Sequence, residues 1–138
     1  MSKFTLIGES QGEICMQTEF MKQAYGLVYE IENCLRRYIE QTMQKEYGVG
    51  WFIEGPLVMK YKPYNKNYNT FHFHELVSML RGYPCFVETT DTIYYELTQT
   101  VEIRNKVAHS QDISDKEMVL LQRVHKMVME QVLLKLST

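Results

Sequence analysis

The sequence predicts an all-α fold, an up-down bundle of four helices, one of them short. Three observations carry that expectation. Apolar residues recur every three or four positions through residues 27–42 and again through 118–136, the period of a helix that rests one face on a core. Ser114-Asp115-Lys116-Glu117 has the form of a capping box, a Ser followed three residues later by a Glu, which satisfies the free amides of a helix start. Gly48, Gly50 and the stretch Gly82-Tyr83-Pro84 stand where periodic segments stop, as helix-ending residues do.

Residues 1–17 are mixed, contain two glycines, and are expected to form a short strand or an arm. Residues 18–47 read as a long helix. Leu27, Ile31, Leu35, Tyr38 and Thr42 form its apolar stripe, widened by Cys34 and Ile39, while Glu30, Glu32, Arg36, Arg37 and Glu40 lie beside or opposite it. Glu32 and Arg36 are four apart with the acid first, the better order for a helical ion pair. Residues 51–71 read differently. Pro56 and Pro63 are expected to break any helix, and aromatics from Trp51 to Phe71 alternate with Lys60, Lys62 and Lys66. This stretch is expected to be an irregular aromatic-rich insert between the first and second helices. A short helix is predicted from His72 to Arg81. A third covers 89–108, with Thr89, Thr90 and Asp91 as candidate N-caps and Ile93, Leu97, Val101, Arg104 and Ala108 on one face. After a loop at 109–113 the capping box opens the last helix, with Met118, Leu121, Val124, Val128, Val132 and Leu136 facing in.

The 138 residues fit a single domain over 1–138. Hydrophobic residues make up 45% and charged residues 23%, enough apolar material for one sizeable core. A net charge of -2 gives no global electrostatic case for nucleic-acid binding, so any RNA contact has to come from a local basic patch or a narrow site. Cys15, Cys34 and Cys85 are widely spaced and odd in number, which argues against a disulfide framework and a zinc site and for a reducing, cytoplasmic setting. Cys34 reads as a small buried hydrophobe. The first nine residues lack a signal-peptide apolar block, and no run of 18 apolar residues exists, so no membrane span is expected.

The constellation with chemical content is Arg104-Asn105-Lys106-Val107-Ala108-His109. Arg104 interrupts an apolar stripe, and a guanidinium there has to be paired or face a partner. Five residues on a helix turn about 140° and rise about 7.5 Å, so Arg104 and His109 do not meet on one ligand atom while both are helical. They converge if the chain unwinds after Ala108, or if two copies of the helix end meet across a two-fold axis. The second arrangement makes a composite site with two Arg and two His. Histidine moves protons near neutrality, and arginine grips phosphate with a planar fork. Together they suit cleavage of a phosphodiester that carries its own nucleophile, the 2′-hydroxyl of RNA. No metal or other cofactor is called for, and no carboxylate cluster is present to hold a metal.

The hexapeptide resembles the Arg-x4-to-6-His signature of HEPN-domain ribonucleases, including the Arg-Asn opening and the Ala-His ending. The preceding Tyr94-Tyr95-Glu96-Leu97 and the capped final helix fit that resemblance, as do the first-helix stretch from Val28 to Ile39 and the segment Glu46 to Trp51. It covers roughly residues 22–136, with the insert between. It implies a homodimer with the site at the interface, metal-independent endoribonuclease activity leaving a cyclic phosphate, and Arg104 and His109 as catalytic residues. It also implies work in a toxin–antitoxin system, phage defence or RNA processing, with an antitoxin or defence-system protein as a further partner. The family contains catalytically inactive members that serve as dimerisation or binding modules for a protein or nucleotide, which is the alternative function. One departure is Gln111: the variant silenced by a nucleotidyltransferase antitoxin carries a Tyr there.

Each candidate also has a plain structural reading. A His near a helix C-terminus is favoured by the dipole, and Arg104 can simply pair with an acid such as Glu32 or Glu96. Asn105 can position the Arg or a phosphate, or hydrogen-bond nearby backbone. His72 and His74 flank Phe73 without an evident third ligand, and His125 lies beside the last core stripe. The Lys60–Tyr68 run suits either single-stranded RNA or a packed loop. Arg36 and Arg37 read as a solvated face or as lining for a dimer cleft.

Overall fold

Helix formers dominate the chain from Glu9 onward, and the computed structural model, which describes residues 9–133, is all-helical. Its helices are α1 (Glu9–Tyr47), α2 (Trp51–Met59), α3 (Phe73–Gly82), α4 (Asp91–Ala108) and α5 (Asp115–Gln131), with 3-10 turns at Tyr68–Thr70 and Pro84–Phe86. No strand occurs among the described residues. The long α1 packs against each of the other four helices, and α4 lies between α3 and α5. No described helix is long and apolar enough to cross a membrane.

The strand or arm expected over residues 1–17 is corrected for 9–17, and residues 1–8 lie outside the described residues. From Glu9 the chain already belongs to α1, because Gln, Glu and Met around Gly12 favour a helix and one internal glycine costs only about 1 kcal/mol. Residues 12–19 are solvent-exposed. Further along, α1 buries Ala24, Val28, Ile31, Leu35, Ile39 and Met43 at helical spacing, with Cys34 and Tyr38 beside them. Leu27 and Thr42 lie at the margin of that stripe, half-buried.

The insert is a second correction. Trp51–Met59 is helical with Pro56 inside it. Proline crowds the Cβ of the preceding residue when that residue is helical, and the preceding residue is Gly55, which has none. The missing Cβ also lets α1 approach: a carbon there would stand 2.8 Å from Met43 Cε and 3.4 Å from Tyr83 Cε1. Lys60, at φ 60°, ends α2 in the left-handed region. The rest of the segment packs as an aromatic cluster. Trp51, Tyr68 and Phe71 are buried, the rings of Trp51 and Tyr68 meet edge to face at 5.0 Å, and Phe52 stacks on Tyr64 at 4.7 Å.

The last two helices follow their local signals. Thr90 caps α4, its hydroxyl accepting from the Ile93 amide at 3.2 Å. In the box opening α5, Ser114 Oγ accepts from the Glu117 amide at 3.0 Å and Glu117 Oε1 from the Ser114 amide at 2.8 Å. Met118, Leu121, Val124, Val128 and Val132 are buried; Leu136 lies outside the described residues. All three cysteines are free thiols, and burial pushes the Cys34 thiol up, as expected of a small hydrophobe.

Candidate functional site

The buried face of α4 runs through Ile93, Leu97, Thr100, Ile103 and Val107, one step round from the expected stripe. Val101 and Arg104 are half-buried at its edge and Ala108 is exposed. Arg104 therefore does not interrupt the stripe. It borders it, turned toward α1, where Arg104 Nε donates to Glu32 Oε1 at 3.1 Å. The other oxygen of Glu32 accepts from Arg36 Nη2, also at 3.1 Å. Arg36 in turn donates through Nη1 to the carbonyls of Tyr68 and Phe71 at 3.3 and 3.2 Å, and Tyr68 returns a hydrogen bond from its hydroxyl to the Arg36 carbonyl at 2.6 Å. One carboxylate thus serves two guanidiniums, and the cluster keeps one positive charge in excess. Arg36 is spent on structure, so the reading of Arg36 as solvated surface is corrected; Arg37 is exposed.

Glu32 takes only the Nε edge of Arg104. The Nη1/Nη2 end makes no hydrogen bond among the described residues. An arginine offers a planar fork there that matches a phosphate or carboxylate bidentately, and the glutamate fixes the plane of that fork. A half-exposed ion pair adds modest stability. Its larger effect is to restrict where the free end points.

At the end of α4 the chain turns sharply. The Gln111 amide bonds the Lys106 carbonyl at 2.8 Å and the Ser110 amide the Val107 carbonyl at 3.1 Å, the crossed pair of a Schellman ending. The residue it places in the left-handed region is Ser110, at φ 59°, where glycine is the usual choice. His109 is the C-cap, at φ -100° and ψ 17°. It is exposed, and its ring makes no hydrogen bond or ion pair among the described residues. Two contacts hold this corner. Lys106 Nζ bonds Glu117 Oε2 at 2.8 Å, and Gln17 Nε2 bonds Asp112 Oδ1 at 3.0 Å. The Lys106 hydrogen bond, with the Ser114 amide behind it, holds the Glu117 carboxyl below the usual range.

Two adjoining hollows run along the α1–α4 side of this corner. A cleft of about 120 Å³ is lined by Tyr25, Tyr29, Glu32, Arg104 and Ala108, among others. A wider groove of about 530 Å³ includes Ile14, Lys22, Tyr25 and Ser110. Tyr25 and Val107 line both. Arg104 lines the smaller cleft and Ser110 the wider groove, and His109 lines neither. Asn105 is exposed. Its side chain makes no hydrogen bond among the described residues, while its carbonyl accepts from the His109 amide at 3.1 Å. The chain matches no protein-family model, no curated protein and no solved structure.

His125 Nε2 meets Glu30 Oε1 at 2.6 Å, tying α5 to α1. His72 and His74 stack at 5.9 Å beside the start of α3, and no group of three or more metal-ligating side chains occurs among the described residues. Along the Lys60–Tyr68 run, Tyr68 is buried, Tyr64 half-buried and Lys66 paired with Glu75 at 2.6 Å, while Lys60, Tyr61 and Lys62 are exposed. The residues missed from the sequence are Tyr25 and Tyr29. Their signal was available: two aromatics one turn apart, off the apolar stripe of α1.

Proposed function

We propose that this chain is a metal-independent endoribonuclease of the HEPN type that acts as a homodimer, its up-down four-helix bundle formed by α1, α3, α4 and α5 with α2 in the connection between the first two. The observation that carries the reading is Arg104: a guanidinium oriented by Glu32, with its fork end open, followed at the helix end by an exposed and unbonded His109. Because His109 does not line the cleft that holds Arg104, a second copy is what brings a His to the phosphate held by an Arg. Ile14 and Met16, 54% and 73% exposed on the N-terminal stretch of α1, supply apolar area for that copy near the helix end.

In the proposed reaction the RNA 2′-hydroxyl oxygen attacks the adjacent phosphorus while the bond to the 5′-oxygen breaks. One His109 accepts the hydroxyl proton and the other gives a proton to the leaving 5′-oxygen. The Arg104 forks offset charge developing on the phosphoryl oxygens. The products are a 2′,3′-cyclic phosphate and a 5′-hydroxyl. Asn105 lies at the same helix end, where it can reach a bound phosphate. The settings that suit such an enzyme are a toxin–antitoxin system, phage defence or RNA processing, with an antitoxin or defence-system protein as a further partner.

A binding-module reading draws on the same ion pair, since an Arg104 held by Glu32 is also a finished structural contact. Purified protein incubated with RNA in EDTA separates the two. Cleavage that His109→Ala and Arg104→Ala abolish supports the enzyme. Absence of cleavage, or cleavage undiminished in His109→Ala, leaves the dimerisation or binding module for a protein or nucleotide.

A further inference from the structure

Tyr25 and Tyr29 lie one turn apart on α1 and are 59% and 58% exposed. Their ring centroids are 6.3 Å apart with planes tilted by 30°. Neither hydroxyl is hydrogen-bonded among the described residues. A large side chain on a soluble surface is ordinary taken singly, but two adjacent ones beside an unsatisfied cation are not. Both rings line the Arg104 cleft, and Tyr25 continues into the groove that reaches Ser110, next to His109. A strand laid along this surface from Arg104 toward the helix end therefore crosses Tyr25.

We propose that Tyr25 and Tyr29 are a base-stacking subsite for single-stranded RNA, with the neighbouring phosphate on the free fork of Arg104. The inference rests on the ribonuclease reading and names how its substrate is held. The chemistry fits in two respects. Every nucleobase has a π face, so exposed tyrosines hold single strands with little sequence preference. The Glu32–Arg36–Arg104 cluster keeps a net positive charge, so a phosphate beside the stacked base finds a cation whose donors are unspent. This assigns the Tyr25–Tyr29 face to RNA, so that the partner protomer packs beside it and not over it. A chain whose net charge is -2 has no general attraction for RNA, so stacking supplies affinity that charge does not.

The test measures binding of a 2′-O-methylated single-stranded oligonucleotide, which lacks the nucleophile, alongside the solution mass of each protein. Tyr25→Ala and Tyr29→Ala are each expected to weaken binding about tenfold with the mass unchanged. Tyr25→Phe and Tyr29→Phe keep the ring and are expected to bind as the parent does. Arg104→Ala serves as the control on the underlying reading. If Arg104→Ala loses binding while both Tyr→Ala variants keep it, the subsite is wrong and the ribonuclease reading stands. If the Tyr→Ala variants change the mass of the assembly, the face is an interface between copies and the proposal is overturned. If the parent protein neither binds this probe nor cleaves RNA, both fall.

Discussion

The tyrosines around the 61–83 segment and those on the outer face of α1 put one side chain to two uses. Tyr68 and Tyr83 are buried and Tyr64 is half-buried. Their hydroxyls are spent, Tyr68 on the Arg36 carbonyl and Tyr64 and Tyr83 on each other, and desolvation pushes all three phenols up. Tyr25 and Tyr29 stand in solvent with free hydroxyls. The enclosed set welds the connection between α2 and α3 onto α1, whereas the open set lies beside Arg104, whose guanidinium has donors to spare. The two regions are joined by the chain Tyr68, Arg36, Glu32, Arg104. Packing in one thus helps to orient chemistry in the other.

The contrast is broken most severely by emptying the enclosed set. Tyr68→Ala is expected to cost about 3–5 kcal/mol, as for other large buried rings, while Tyr25→Ala should stay within about 0.5 kcal/mol. Urea titrations of the two variants decide this, and equal losses would erase the distinction. Next in size is the link itself. Arg36→Ala removes the donor to two carbonyls and one partner of Glu32, a loss of about 1–3 kcal/mol by the same titration. A loss no larger than that of Arg37→Ala would show that the link carries no load.

Smaller effects belong to the corner that presents His109. A non-glycine residue in the left-handed region costs roughly 1–2 kcal/mol, and glycine gives part of that back as chain entropy. Ser110→Gly should therefore raise stability by about 0.5–1 kcal/mol, read as a higher melting temperature. No gain would mean the serine meets no strain there. Smallest is a pH effect shared by both regions. Glu117 is held low by Lys106 and the Ser114 amide. At Glu75 burial works upward, but the His72 amide and Lys66 outweigh it and hold that carboxyl low as well. A carboxyl lowered by folding adds stability that is complete above its ordinary value, near 4.5. That stability is lost as pH falls through the lowered one. Glu117→Gln and Glu75→Gln should each flatten the acid side of a stability–pH curve, and a curve unchanged in shape would contradict the assignment.

The helical class, the long α1, the box at Ser114 and the inward face of α5 were legible because each is a local signal that tertiary contacts leave alone. Two features were not. Pro56 read as a breaker, since a sequence scan weighs proline against the helix and not Gly55 against the crowding it relieves. The face of α4 was misplaced by one residue because Thr100 reads as polar and Val101 as apolar. Thr100 is buried with its hydroxyl bonded to the Glu96 carbonyl at 2.8 Å, so the helix satisfies the polar group internally. That error put Arg104 on the core face when it belongs at the edge. Its pairing with Glu32 was within reach of the sequence, but the relay through Arg36 to Tyr68 was not, since it spans residues far apart in the chain.

Product chemistry distinguishes the proposed cleavage of RNA through the substrate's own 2′-hydroxyl from every other route. The parent protein in EDTA should cut a defined RNA to fragments ending in a 2′,3′-cyclic phosphate. A single 2′-deoxy substitution at the cut position should abolish that cut. A 3′-hydroxyl product, or undiminished cleavage at the 2′-deoxy position, would contradict it.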